Sequence, residues 1–474
     1  MQRLAGAQRA GVSDQISPVK VRLIEPGAPS AHVYSKVRLP RLGLPMIGAA
    51  LAQDGHDVLV YVADLAPIDW HDVYSADIVG LSATTSTVVE SYRIADRLRE
   101  RGIPTIIGGP HVTFMADEAL RHADFVARGE GGEQLMLELI DALQGRRPFE
   151  SVAGLSYKVD GVIHHNPLRP PVADLDSLPL PDLSLIRGRH RLRYTPIMTS
   201  WGCPFDCRFC SVTAMFGRRY RFRSPEHVIT ELAAKQPRRV FFYDDNLAAD
   251  RQRLKVLLRM IIDEGLRFGW TAQVRTDVAR DAELLDLMRR SGCRMVFLGL
   301  ESVNQLTLDG YRKRQRVDDI VAAVRTLHRY GIRAHGMFVL GADTDGPEAV
   351  RETVSFALRH RLDAIMLNIL TPLPGTPVFD DLVGEGRVLH RRWDLYDGLH
   401  VVFRPRRLSP RMLHDEIMRG YARFYNGRRW LGSLLTGRFT QLVFQTWAHG
   451  IRRSWCRDRR NREYLAALEQ EVGA

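Results

Sequence analysis

The chain has few cysteines and no long apolar run. Only five of its 474 residues are cysteine, which excludes the disulfide framework that stabilises many small secreted proteins. No run of 18 apolar residues occurs, so we expect no ordinary membrane-spanning helix. The N-terminal stretch MQRLAGAQRAGVSDQ has no continuous apolar core after its charges. We therefore expect no secretory signal, and a cytoplasmic protein.

A dinucleotide fingerprint is also missing. No G-x-G-x-x-G follows the first predicted strand, residues 19–26, which disfavours a nicotinamide or flavin cofactor. Disorder is not indicated, because 45% of the residues are hydrophobic and 26% are charged, as in ordinary globular proteins. A chain of 474 residues is too long for one hydrophobic core, so we expect two or three domains.

The positive charge of the chain is concentrated near its C-terminus. The net charge is +12, and from Arg411 to the end there are twelve Arg but six Asp or Glu. About half of the excess therefore lies in the last seventh of the sequence. Residues 405–474 have a helical, basic and aromatic pattern. This pattern predicts a C-terminal helical domain that either packs on the preceding domain or approaches lipid or a hydrophobic substrate.

The first 143 residues alternate short apolar runs with helical patterns. Such alternation predicts a parallel sheet with helices on both faces, a doubly wound Rossmann-like domain. Ligands of these sheets bind at the carboxyl ends of the strands. Here those ends carry three loops rich in glycine and hydroxyl groups, at residues 82–87, 108–111 and 128–132. Each could be an ordinary turn, but three on one edge favour a bound cofactor.

A second α/β pattern follows a proline-rich stretch. Residues 144–193 lose the regular period, and we expect them to form a linker. Residues 194–404 contain five strand-helix units and a sixth strand. This repeat predicts a parallel barrel or partial barrel, in which functional residues lie at the carboxyl ends of the strands.

Three cysteines come directly after the first strand of this repeat. Cys203, Cys207 and Cys210 have C-x3-C-x2-C spacing, so one loop could present three thiolates to an iron-sulfur cluster. A cubic cluster has four corners, and no fourth Cys or His lies nearby, which leaves one iron open to another ligand. Zinc, which usually takes four protein ligands, and simple electron transfer are weaker alternatives. Cys293 and Cys456 are isolated and expected to be packed or incidental.

The cysteine spacing, the aromatic Phe209 before the third cysteine and the six-strand repeat together resemble the radical SAM superfamily. In that family S-adenosylmethionine (SAM) fills the open iron position and is cleaved to a 5′-deoxyadenosyl radical. The resemblance implies that the three cysteines bind a [4Fe-4S] cluster. It also implies a set of SAM-binding residues: Phe209, Asp244, Asp245, Asn246, Gln273, Arg275, Glu301, Ser302, Gly336 and Gly341. Each carboxylate among them could instead be a helix cap or part of a buried ion pair.

The first domain looks like that of the cobalamin-binding branch of this superfamily. The S-A-T-T, G-G-P-H and R-G-E-G runs carry the resemblance, which covers about residues 19–400. It implies that Ser82 and Thr85 face the lower side of the corrin and that Gly108, Gly109 and Gly131 leave space for its tail. The D-x-H-x-x-G motif of His-ligated cobalamin proteins is absent, a departure that is usual in this branch but leaves open whether cobalamin is retained.

The resemblance implies an enzyme with a [4Fe-4S] cluster, SAM and cobalamin, which abstracts hydrogen from an unactivated carbon and methylates it. A cyclase or rearrangement enzyme of the magnesium-protoporphyrin ester cyclase type is the alternative. The expected partners are a small-molecule or lipid substrate, such as a hopanoid, tetrapyrrole or secondary metabolite, and a flavodoxin or ferredoxin as electron donor. Peripheral membrane contact through the C-terminal segment is a further expectation.

Two other classes fit the sequence less well. An RNA-modifying methylthiotransferase would bring cysteines before Cys203 and a C-terminal β-barrel, and neither is indicated. A non-enzymatic cofactor-binding sensor would not need the polar residues at the strand ends. We therefore expect no nucleic-acid partner.

Overall fold

The computed structural model describes residues 17–28, 39–435 and 439–472, which form two compact units. The first unit contains the described residues up to Arg193, and the second begins at Tyr194. The N-terminal segment in which we expect no secretory signal lies outside the described residues.

The first unit is built on a seven-stranded sheet. Its first five strands are parallel in the order β2-β1-β3-β4-β5, because each is a short, largely buried apolar run followed by a helix. This confirms the predicted doubly wound fold. The strands are β1 Lys20–Glu25, β2 Asp57–Val62, β3 Ile78–Ser82, β4 Thr105–Gly108 and β5 Phe125–Ala127; the helices are α1 Gly43–Gln53, α2 Trp70–Tyr74, α3 Val88–Arg99, α4 Pro110–Phe114, α5 Ala116–Ala119 and α6 Gly132–Leu143.

The prediction of a linker over residues 144–193 is wrong for its first half. Strands β6 (Leu155–Val159) and β7 (Val162–His165) extend the sheet as an antiparallel hairpin. Asp160 and Gly161 form its two-residue loop, with φ values of 50° and 82°, as a type I′ turn requires. The Asp-Gly pair was a sequence signal for this hairpin. The proline-rich remainder belongs to the same unit, where Leu175 and Ile186 are buried.

The second unit contains the predicted partial barrel. Six parallel strands pair in the order β15-β14-β13-β12-β11-β8, and β8 and β15 form the two edges. The strands are β8 Thr195–Ile197, β9 Ser200–Trp201, β10 Arg221–Phe222, β11 Arg239–Phe242, β12 Gly269–Val274, β13 Cys293–Glu301, β14 Arg333–Leu340 and β15 Ala364–Ile369; the helices are α7 Ser211–Phe216, α8 Pro225–Lys235, α9 Arg251–Asp263, α10 Ala282–Arg290, α11 Gln305–Gly310, α12 Val317–Arg329, α13 Ala349–Arg359 and α14 Pro377–Gly384.

The described residues after the barrel contain four helices, and this confirms the predicted helical C-terminal region. They are α15 Pro410–Phe424, α16 Gly427–Leu435, α17 Phe439–Arg457 and α18 Arg459–Val472. The predicted boundary after residue 404 does not separate compact units, because α15 is joined to the barrel edge. The Tyr425 hydroxyl donates to the Ile365 carbonyl oxygen at 2.7 Å and accepts from the Ile365 N–H at 2.9 Å. Within the described part of the chain, no helix is long and apolar enough to cross a bilayer.

Candidate active site

The three predicted cluster cysteines lie on one loop of the second unit. The loop runs from β9 to α7, and Cys210 is the N-cap residue of that helix. Gly202, with φ of 81°, precedes the first cysteine, and a Cβ there would collide with the Arg219 carbonyl oxygen. Glycine is therefore required for the close approach of these two backbone segments. The Cys210 N–H donates to the Cys207 carbonyl oxygen at 3.1 Å, which forms a turn between the second and third cysteine.

All three thiols are free and half-buried. Loss of hydration raises the pKa of Cys203, and it raises the pKa of Cys210 to about 12. The charges of Asp245 and of the other two thiols are smaller contributions to the raised pKa of Cys210. Among the described residues no group of His, Cys, Asp or Glu side chains is arranged around a single metal ion. A cubic cluster does not require such convergence, because each thiolate binds a different iron.

The side chains of residues 244–246, which follow β11, have different surroundings. Asp244 is fully buried and accepts hydrogen bonds from the Thr199 backbone N–H at 3.2 Å, the Thr199 hydroxyl at 2.7 Å and the Ser200 hydroxyl. Loss of hydration raises its pKa. Asp244 therefore ties the segment after β8 to the end of β11, and its assignment as a SAM ligand stays a prediction.

The next two residues remain available to a ligand. Asp245 reaches solvent, yet enough protein surrounds it that loss of hydration raises its pKa to about 7, helped by the neighbouring charge of Asp244. Asn246 is 4% exposed, and its Oδ1 has no hydrogen-bond partner within the described residues. Since buried polar atoms are nearly always paired, a donor group of SAM would complete this position.

Glu301 ends β13 at a β-bulge and has a left-handed backbone, with φ of 61°. Its Oε1 lies 2.6 Å from Lys313 Nζ, and both side chains are more than nine-tenths buried. A Cβ on Gly299 would come within 2.7 Å of both charged atoms, so only glycine leaves room for this ion pair. Ser302 is also buried, and its hydroxyl accepts from the Asn304 N–H at 3.0 Å. The left-handed conformation of a non-glycine residue is costly and is often found at functional sites.

Two arginines hold the cysteine loop in place. The Arg275 guanidinium stacks on the Phe205 ring at 3.8 Å and donates to the Lys313 carbonyl oxygen. Arg314 forms an ion pair with Asp206 at 3.1 Å. The loop that contains Lys313 therefore joins the cysteine loop to the Glu301 ion pair.

The other predicted SAM-binding residues differ in what their surroundings allow. Phe209 packs edge-on against Tyr311, with ring centroids 4.9 Å apart, and Gln273 is half-buried on β12. Gly336 lies within β14, where a Cβ would meet buried leucines, so core packing alone explains this glycine. Gly341 follows the same strand with φ of 101°, a conformation that favours glycine.

The strand ends of the first unit also carry an organised polar group. Thr85 is buried, and its hydroxyl lies 3.2 Å from Nδ1 of the buried His111. Arg41 donates to the Thr84 hydroxyl at 3.0 Å and to the Ser82 hydroxyl at 3.5 Å. Ser82 and Thr85, both predicted to face the corrin, therefore already have protein partners.

Two of the three glycines predicted to leave space for the cobalamin tail also have a requirement that comes from the protein itself. A Cβ on Gly109 would collide with the Ala83 carbonyl oxygen, and one on Gly131 would lie 2.6 Å from Arg169 Cδ. Both residues have positive φ, 119° and 77°. Close protein neighbours and backbone conformation thus favour glycine at both positions, and the space that they leave for a cofactor tail stays a prediction. Gly108 has only an ordinary contact at its Cβ position.

Comparison with known proteins agrees with both halves of this arrangement. A family model described as "Radical SAM superfamily" matches residues 197–357, and one described as "B12 binding domain" matches residues 33–137. An uncharacterized methyltransferase of Pyrococcus horikoshii is 31% identical over 81% of this chain and 88% of its own length. The chain belongs to the cobalamin-dependent radical SAM methyltransferase family.

Two further relatives of this radical SAM enzyme have more specific names. The bacteriochlorophyllide d C-12(1)-methyltransferase of Chlorobaculum tepidum is 29% identical over 90% of this chain and 95% of its own length. The anaerobic magnesium-protoporphyrin IX monomethyl ester cyclase of Rubrivivax gelatinosus is 31% identical over 75% of this chain and 67% of its own length. Among solved structures, the radical SAM methyltransferase TsrM of Kitasatospora setae, with cobalamin and a [4Fe-4S] cluster bound, superimposes with a TM-score of 0.65 at 19% identity, covering 78% of this chain and 75% of TsrM. That likeness shows a shared fold.

The cofactors of this radical SAM enzyme are a [4Fe-4S] cluster, SAM and cobalamin. The residues present fit all three. The three thiols suit iron, and the unpaired Asn246 oxygen suits SAM. In the first unit, Glu133 lies in the first turn of helix α6; it is 7% exposed, and its Oε2 has no partner among the described residues. Amide side chains of cobalamin could donate to it, since it follows one of the strand-end loops.

Several residues of the site were missed by sequence reasoning. Lys313 and Arg314 lie in the loop after α11, more than ten positions beyond the strand end that they reach. Arg41 precedes a helix and Glu133 lies in one. A search of strand ends therefore did not include them. Of these four residues, only Glu133 had a local sequence signal, because it directly follows the R-G-E-G-G run.

Proposed function

We propose that this enzyme methylates an unactivated carbon of a hydrophobic substrate, using SAM, a [4Fe-4S] cluster and cobalamin. The observation that supports methyl transfer most strongly is the likeness to a bacteriochlorophyllide methyltransferase over 95% of that protein's length. A tetrapyrrole or a lipid is the substrate class that fits, because the C-terminal helices expose large apolar side chains.

When bound, the cluster and SAM supply a hydrogen-abstracting radical, and cobalamin supplies the methyl group. The chain's own residues hold and orient these groups. Cys203, Cys207 and Cys210 would ligate the cluster, and Asp245 and Asn246 would orient the SAM that completes it. Arg275 and Arg314 fix the position of the cysteine loop through Phe205 and Asp206.

The remaining partners follow from the chemistry. A reduced flavodoxin or ferredoxin would supply the electron, and the cysteine ligands favour a reducing compartment such as the cytoplasm. The C-terminal segment would contact a membrane. No nucleic-acid partner is proposed.

The test is anaerobic reconstitution followed by three measurements: the visible spectrum of bound corrinoid, 5′-deoxyadenosine release, and transfer of label from SAM that carries a deuterated methyl group. Bacteriochlorophyllide-type tetrapyrroles and hopanoid-type lipids are the substrates to compare. A product that carries the labelled methyl group is expected. Deoxyadenosine release without bound corrinoid and without label transfer would refute the proposal.

Cyclisation without methyl transfer is the second candidate function, and the 31% identity to the ester cyclase favours it. The same assay separates the two reactions. A cyclase would consume magnesium-protoporphyrin monomethyl ester and give a product of changed mass without the label.

A further inference from the structure

On helix α16 (Gly427–Leu435), large apolar side chains face solvent and polar side chains face the protein. Four large apolar side chains are exposed on one face of the helix, which we call the apolar face: Trp430 at 40%, Leu431 at 50%, Leu434 at 44% and Leu435 at 77% exposure. The opposite side carries the buried Ser433 and the half-buried Arg429. A helix that packs on a protein core normally shows the reverse arrangement.

The inward side of α16 is anchored by contacts with the rest of the second unit. Arg429 stacks on the Phe424 ring at 4.2 Å and donates to the Leu362 carbonyl oxygen at 3.4 Å. On the outward side, the exposed Trp430 also has a contact, since its Nε1 donates to the Thr446 hydroxyl of α17 at 3.1 Å. These contacts fix which side faces outward.

The sequence on both sides of the apolar face carries charge of one sign. Residues 417–457 contain eight Arg and no Asp, Glu or Lys. Of these arginines, Arg428 and Arg453 are exposed on α16 and α17. Exposed leucines and a tryptophan with arginine around them are the composition of helices that lie in the interface of anionic membranes.

A pocket of ≈ 430 Å³ adjoins this face and shares Trp430 with it. Its surface is largely apolar, so it offers a recess to a lipid chain. Arg453 also lines this pocket.

We propose that the apolar face of α16 docks on an anionic phospholipid bilayer, with Arg428 and Arg453 directed to the lipid phosphates. This assigns a surface and a lipid charge to the membrane contact proposed above, and it is independent of the reaction. A second copy of the chain is a poorer occupant, because a two-fold contact would place this arginine-rich surface against itself.

The test is co-sedimentation of the reconstituted full-length protein with vesicles of phosphatidylcholine alone or mixed equally with phosphatidylglycerol. We expect binding to the mixed vesicles that weakens with added salt. Leu434→Ser combined with Leu435→Ser should weaken partitioning on the order of tenfold or more. Leu306→Ser, at a residue that is 69% exposed on α11, is the matched control and should bind like the wild type.

The charge is tested separately. Arg428→Gln with Arg453→Gln should lose the preference for phosphatidylglycerol, while Arg93→Gln, which alters an exposed arginine of the first unit, should not. Equal sedimentation of the leucine pair and the wild type would overturn the proposal. So would a concentration-dependent dimer that the leucine pair abolishes, since a second copy would then cover the face. Deoxyadenosine release should be unchanged in the leucine pair, so failure to bind vesicles is distinguishable from failure of the methyltransferase proposal.

Discussion

Replacing Lys313 by methionine should strongly destabilise the second unit. The Lys313 ammonium lies 2.6 Å from Glu301 Oε1, and the two side chains are only 7% and 9% exposed. At an effective dielectric constant of about 20, unit charges at this distance attract by roughly 6 kcal/mol. Removing one partner of such a buried pair leaves an unpaired charge, so we expect a loss of about 3–5 kcal/mol in the free energy of unfolding.

A double-mutant cycle measures this coupling. Glu301→Gln should cost a similar amount, but Lys313→Met combined with Glu301→Gln should cost much less than the sum, because no buried charge is left unpaired. The assay is urea unfolding of the anaerobic apoprotein. The matched control is Arg459→Met in the exposed pair Arg459–Glu463, whose side chains are 86% and 59% exposed, and it should cost less than about 1 kcal/mol.

Two results would refute this reasoning. Lys313→Met could cost no more than the surface control, or the two single substitutions could add without coupling. The folded double variant also tests the functional prediction for Glu301. Loss of SAM binding by that variant, measured by calorimetry, would support a contact to the ligand. Unchanged SAM affinity would leave the ion pair with a structural role only.

Three further results are expected. Alanine at any cysteine of the 203–210 loop should abolish deoxyadenosine release and the absorption of the cluster, whereas alanine at the buried Cys293 should leave cluster content intact; a fully loaded loop variant would contradict the assignment. Tyr425→Phe removes both hydrogen bonds to Ile365 and should cost about 2–4 kcal/mol in urea unfolding; an effect below about 1 kcal/mol would show that water replaces the hydroxyl. His335 is buried, with both ring nitrogens unpaired among the described residues, and loss of hydration lowers its pKa to about 3. In the unfolded chain a histidine has a pKa of about 6.5, so the unfolded state takes up more protons than the folded state. The free energy of unfolding should therefore fall as the pH drops from about 6.5 toward 3. The variant His335→Phe should flatten this dependence in unfolding experiments at several pH values.

The comparison between sequence and structure is clearest at the strand ends. Alternation of apolar strands with helices located the loops correctly, because backbone hydrogen bonding makes strand ends coincide at one edge of a parallel sheet. It did not show which side chains face a ligand. Asp244 and Asp245 are adjacent, yet the first accepts hydrogen bonds from Thr199 and Ser200 and the second faces solvent. Both lie beyond the end of β11 at Phe242, where the alternation of a strand no longer predicts the direction of a side chain.

Spacing, period and composition are local properties, and they were sufficient to predict the cysteine loop, the two α/β units and the basic C-terminal helices. Contacts between distant parts of the chain became visible only in the tertiary structure. The Asp160–Gly161 hairpin joins a sheet across residues that looked like a linker, and Lys313 finds Glu301 only when the chain folds back. The apolar residues of α16 likewise show their outward direction only once the helix is anchored by Arg429. Contacts between residues distant in sequence depend on packing in three dimensions, and no local pattern encodes them.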